Sequence, residues 1–102
     1  MENIGIAYFT NPAVEAELLG KEIDGIMTTV ARTIPVRKVD TYKEVTIVEK
    51  MQPQNVPCII FTNNQGDLEH MRLDGNQLSG ITVAKVMETV KAIDRYNRTG
   101  KS

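Results

Sequence analysis

The sequence predicts an α/β fold: a central four-stranded mixed sheet in the order β-α-β-α-β-β-α, with helices on both faces. Three observations lead there. Two runs, Ile4 to Phe9 and Cys58 to Phe61, are apolar without a break, the mark of strands buried on both sides. Elsewhere apolar residues recur in steps of three and four, the period of a helix face. The stretch after the second run alternates instead. Leu68, His70 and Arg72 fall on one side and Glu69, Met71 and Leu73 on the other, as on a strand nearer an edge. Asn63 to Gly66 fit a hairpin loop between the two.

In chain order, Ile4 to Phe9 forms the first strand. Gly5 and Ala7 thin one of its faces, so a helix is expected to approach closely there. Thr10-Asn11-Pro12 then supplies a helix start: a Thr or Asn cap before a proline whose missing N–H is no loss at the first helical position. Ala16, Leu19, Ile23, Ile26 and Val30 trace one face of a single helix that ends at Thr33 to Pro35. Gly20 and Gly25 each weaken a helix by ~1 kcal/mol relative to alanine, so both are expected where it presses on the sheet. Val36 to Val39 is a short, half-polar strand that suits an edge. Asp40 or Thr41 caps the next helix, Thr41 and Glu44 having capping-box spacing. That helix sets Val45, Val48 and Met51 on one face and stops at Pro53. After the hairpin and Gly75, Ser79 caps a last helix carrying Val83, Val86, Met87, Val90 and Ile93 inward. The folded unit is expected to span residues 1–95, with 96–102 a polar, flexible tail. The first β-α-β crosses over right-handed, which makes its strands parallel.

The chain of 102 residues fits one domain, and 41% hydrophobic against 25% charged is ordinary for a soluble protein. A net charge of −1 gives no push toward a nucleic-acid or anionic-membrane partner, so neither is expected, and no run nears the ~20 apolar residues of a membrane span. The chain enters its first strand without a basic leader, so a cytoplasmic location is expected. One cysteine excludes an internal disulfide and argues against a zinc site. No phosphate loop, metal motif or hydrolase triad is present. His70 stands beside Glu69 and Arg72 with no second ligand at metal spacing. Glu15, Glu17 and Glu22 follow the wet side of a helix, with Lys21 placed to pair with Glu17.

The element order, with Val56-Pro57 entering the third strand, resembles the thioredoxin–glutaredoxin superfamily over nearly the whole chain. Val39-Asp40 resembles the family's strand-two ending, and Val56-Pro57-Cys58-Ile59-Ile60-Phe61 its cis-proline strand, with a valine as in glutaredoxins. Gly75 and Ser79 are more similar to thioredoxin. The family places Cys-x-x-Cys, or its first cysteine, where the first strand meets its helix. Here that join reads Tyr8-Phe9-Thr10-Asn11-Pro12-Ala13-Val14-Glu15. Aligned as in thioredoxin, Thr10 and Ala13 replace the cysteines around Pro12; aligned as in glutaredoxin, Val14 and Glu17 do.

The resemblance thus implies a thioredoxin-like fold and a cis-proline groove, without the dithiol chemistry. Two functions from different classes stay open. The first is a redox-inactive binding or adaptor module. It would take another protein or an extended peptide, with no cofactor, in a groove of Tyr8, Thr10, Asn11, Pro12, Ala13, Val56 and Pro57. In that groove the helix N-terminus offers spare N–H donors and Tyr8 a wall. The alternative is a monothiol or glutathione-binding oxidoreductase using Cys58. A cysteine within an apolar strand is ordinarily a buried, unreactive hydrophobe, and Thr10 is ordinarily a helix cap. A purely structural subunit is a third reading, and the sequence sets no oligomeric state.

Overall fold

Alternation along the first strand decides which side chains enter which half of the core. The computed structural model describes residues 4–63 and 69–99; the expected hairpin turn at residues 64–66, Leu68 and the last residues of the tail lie outside them. Strand β1 (Ile4–Thr10) is buried at every position. Its Ile4, Ile6 and Tyr8 turn to one face, where α2 (Leu18–Val30) and α4 (Val83–Thr99) contribute Ile23, Met27, Val30, Val86 and Val90. Ala7 and Phe9 turn to the other, joined by Val39, Cys58 and Ile60 beneath the short helix α3 (Val45–Met51).

The sheet order is β2-β1-β3-β4, with β2 at Val36–Asp40, β3 at Cys58–Asn63 and β4 at Glu69–Asp74. β1 pairs parallel with β2 and antiparallel with β3, and β3 pairs antiparallel with β4. The expected mixed sheet is therefore present, its two apolar runs central and its two half-polar strands at the edges. The Val56–Pro57 peptide is cis.

Several local expectations are corrected. The first helix is interrupted: α1 (Pro12–Glu15) ends at Ala16, and Glu17 is extended (φ −90°, ψ 157°) before α2 begins. Gly20 explains the break. A Cβ there would lie 1.9 Å from the Val14 carbonyl oxygen, so α1 sits directly on α2 at that point. Gly20 therefore meets α1 and not the sheet, while Gly25 faces open space. On the thin face at Gly5 and Ala7 the helix that approaches is α3, whose Ile47, Val48 and Met51 pack on the Ala7 cluster, and a cavity of about 260 Å³ remains between Gly5 and that helix.

Neither Asp40 nor Thr41 caps α3, whose N-cap position is Glu44 without a side-chain bond. Asp40 Oδ1 accepts the Tyr42 N–H (2.8 Å), Glu44 Oε2 accepts the Asp40 N–H (3.3 Å), and Val45 is half exposed while Ile47, Val48 and Met51 pack inward. Ser79 does not cap α4, because a one-turn 3₁₀ helix (Gly75–Leu78) follows β4. Thr82 takes that role, its hydroxyl accepting the Lys85 N–H at 3.1 Å. The helix also runs on to Thr99, past the boundary expected at Arg95. Asp94 to Thr99 contains no glycine or proline to stop it.

Candidate functional site

The β1–β3 ladder ends at the pair Phe9 and Cys58. Running antiparallel, the chain segments just beyond it, Thr10-Asn11 and Val56-Pro57, lie side by side at that end of the sheet. On the other side of β1, the register sets Tyr8 opposite Lys38 and Thr10 opposite Asp40, so these four side chains share one face. β1 and β2 both end here, and carboxyl ends of parallel strands are where open α/β sheets place their sites.

Asn11 organises the junction. Its Oδ1 accepts the Val14 N–H at 2.9 Å, its carbonyl accepts the Glu15 N–H at 2.9 Å, and its Nδ2 donates to Thr41 Oγ1 at 2.8 Å. The side chain thus closes the first turn of α1 and ties it to the β2–α3 loop. Pro12 has no N–H, so among the described residues Ala13 keeps the one free donor of that turn.

A charged cluster fixes α1 from below. Lys38 Nζ lies 2.6 Å from Glu15 Oε2 and 3.1 Å from Asp24 Oδ1, and the Tyr8 hydroxyl donates to the same Asp24 oxygen at 3.4 Å. Bonding to both carboxylates raises the Lys38 ammonium above its ordinary range. Burial, with help from Asp24, pushes the Tyr8 hydroxyl up to about 12. The Thr10 hydroxyl lies close enough to Tyr8 to oppose that shift, yet makes no hydrogen bond of ordinary geometry. A concavity of about 290 Å³ opens beside it, lined by Asn11, Pro12, Glu15, Lys38 and Asp40.

Cys58 is fully buried, in contact with Phe9, Val39 and Ile60. Burial first, and Asp74 second, push its thiol from 9.0 up to about 12. Only the thiolate is a nucleophile, so at neutral pH the Cys58 thiol is held in its unreactive, protonated form.

By sequence, no family model matches this chain, and no curated protein does. Solved structures do. Thioredoxin 1 from the thermophilic eubacterium Thermosipho africanus superposes with a TM-score of 0.68 at 19% identity, over 96% of this chain and 99% of that one. The malaria parasite's thioredoxin-2 gives 0.64 at 20% identity, over 90% and 85%. A mutant thioredoxin from Halobacterium salinarum gives 0.71 at 11% identity, over 90% and 75%. This chain has the thioredoxin fold.

Within this thioredoxin-like chain the β1–β3 register sets Thr10-Asn11 and Val56-Pro57 at the same end of the sheet, but not all of the expected groove residues reach solvent. Tyr8 and Thr10 are each 1% exposed, so neither walls an accessible groove: β1 turns both onto the packed face. Asn11 is buried in its capping role and Pro57 is buried at the strand entrance. Pro12 and Ala13 are exposed and Val56 is half-buried. Among the described residues, the Val56 N–H and C=O enter no hydrogen bond. Sequence reasoning missed Lys38, Asp24 and Thr41. The alternation Val36, Lys38, Asp40 could have placed Lys38 over the first helix. Nothing in the sequence links Asn11 to Thr41, thirty residues away. Among the described residues no helix is long and apolar enough to cross a membrane.

Proposed function

We propose that this chain is a redox-inactive thioredoxin-like binding module. It takes an extended segment of another protein across the exposed face of Pro12 and Ala13, alongside Val56. The observation that carries this reading is the separation of thiol from surface. The β1–α1 junction exposes a pyrrolidine ring and a methyl group, while the chain's single cysteine is sealed beneath α3. The free N–H and C=O of Val56 suit pairing with an added strand. Two such bonds contribute only ~0.5–1.5 kcal/mol each, so side-chain contacts from the partner must supply specificity. The Cys58 alternative, with or without glutathione, has no comparable support, since burial leaves the thiol neither accessible nor ionised.

The test is a displayed random-peptide library selected on the native chain and, in parallel, on Ala13→Arg and Val56→Pro. The arginine crowds the surface and the proline removes the donor, and thermal melts check that both variants stay folded. Peptides enriched on the native chain are expected to lose binding to both variants. Peptides that bind all three proteins equally would place the binding surface elsewhere.

A further inference from the structure

A cavity of about 590 Å³, larger than those above, lies between edge strand β4 and α4. Met71, Ala92, Ile93 and Tyr96 give it apolar walls, and Lys85 and Glu88 stand among its lining residues. Met71 and Tyr96 are 41% and 64% exposed, unusual for large apolar side chains so close together. Among the described residues β4 pairs with β3 alone, leaving its outer backbone edge open.

Edge strands normally guard such an edge with charge. The charges on β4 are arranged differently. Residues three apart on a regular strand point to opposite faces. The ladder, however, pairs Met71 with Phe61 and Glu69 with Thr62, leaving His70 as an extra, bulged residue. The bulge brings Glu69 and Arg72 to the same face, where they form a two-point ion pair at 2.6 and 2.7 Å. Two opposite charges on one face of an open edge are self-complementary. A two-fold axis between His70 and Met71 lays β4 antiparallel to its copy, with Glu69 of each opposite Arg72 of the other. The same axis brings the two Met71 side chains together and sets both α4 faces, with their Tyr96, on either side of them.

We propose that β4 is a self-association edge: two copies join through residues 69–72 into one continuous sheet, and Met71 and Tyr96 of both close the groove between β4 and α4. The contact is isologous, so it closes as a dimer without propagating into a fibre. A strand pair of this length buries area at the low end for specific contacts, under about 1,200 Å² in total, so the dimer is concentration-dependent. This edge is separate from the β1–α1 junction, and neither proposal depends on the other.

Sedimentation velocity over roughly 1 μM to 1 mM tests it. The native chain is expected to move from monomer to dimer mass across that range. Glu69→Arg and Arg72→Glu, each confirmed folded by thermal melt, are expected to weaken self-association at least tenfold. Their equimolar mixture should dimerise again, because each reversed charge then meets its opposite. Arg72 also donates to the Met51 and Gln52 carbonyls at 2.9 and 3.0 Å. Should Arg72→Glu fail to fold for that reason, Met71→Glu, whose side chain carries none of those bonds, takes its place as the variant expected to stay monomeric. A native chain that remains monomeric throughout overturns the proposal. So does self-association undiminished in Glu69→Arg or Met71→Glu, or a mixture of folded charge-reversed variants that does not pair.

Discussion

Two segments lie side by side at one end of this sheet and are built on opposite terms. The end of β1 and the start of α1 are held almost wholly by polar contacts: the Asn11 cap, its bond to Thr41 and the Lys38 pairs, with no buried side chain in α1 itself. The start of β3 is held by packing, with Pro57 buried and Cys58 sealed among Phe9, Val39 and α3. The first segment exposes Pro12 and Ala13 and has no thiol. The second has the thiol and no access. Disulfide chemistry needs both properties in one place. Their separation keeps the Cys58 thiol away from the exposed turn of Pro12 and Ala13.

The largest expected effect sharpens the packed side of this contrast. The Cys58 thiol, shifted from 9.0 up to about 12, keeps its proton in the folded chain while the unfolded chain loses it. A group raised in this way stabilises fully below its unfolded value, and that contribution is lost as pH rises toward the folded one. Stability is expected to fall by about 1.4 kcal/mol per pH unit above pH 9 from Cys58. Tyr8, shifted from 10.0 to about 12, adds a similar slope above pH 10. Denaturant melts of the native chain and Cys58→Ala across pH 8–11 check it: the variant should stay flat until the Tyr8 slope begins. Equal slopes from pH 9 would mean the thiol is not sealed.

The next effect concerns what seats the polar segment. Gly20→Ala puts a methyl group into the Val14 carbonyl and is expected to cost about 1–3 kcal/mol by overpacking, despite alanine's better helix propensity. Gly25→Ala, in open space on the same helix, should instead stabilise by about 0.5–1 kcal/mol. Urea melts of the two variants therefore move in opposite directions, and movement in the same direction would break the account of the interrupted helix.

Smaller effects test the individual pins. Asn11→Ala removes the cap and the Thr41 bond and should cost about 1 kcal/mol by thermal melt. Lys38→Met removes two ion pairs from a lysine that is half exposed. Solvent screening limits that loss to at most about 0.5–1 kcal/mol, shrinking as salt is added. If Lys38→Met cost more than Asn11→Ala, the charged cluster and not the cap would be what holds α1.

The sheet was legible because burial on both faces leaves an unbroken apolar run, as in Ile4–Phe9 and Cys58–Phe61, and edge strands leave polar ones. The helix periods around Ile23, Met27, Val86 and Val90 were legible for the same reason. What escaped depends on contacts between distant residues. Ala16 and Glu17 are good helix formers, so nothing local announces the break that the seat of Val14 on Gly20 imposes. Thr82 replaced Ser79 as a cap because a 3₁₀ turn inserted itself between strand and helix. At the site, the helix start at Asn11-Pro12 was legible in the sequence, but the burial of Tyr8 and Thr10 follows from packing on that face of β1. The bulge at His70, which turns Glu69 and Arg72 to one face, exists only in the pairing of β4 with β3.

The claim that accessibility and thiol are kept apart is tested most directly by reduction of insulin disulfides with glutathione and glutathione reductase as the regenerating system. The reaction is followed as turbidity, with and without the chain. The account predicts a rate equal to that of buffer, unchanged in Cys58→Ser. Turnover above buffer that disappears in Cys58→Ser would contradict it, and would place a working thiol at the entrance of β3.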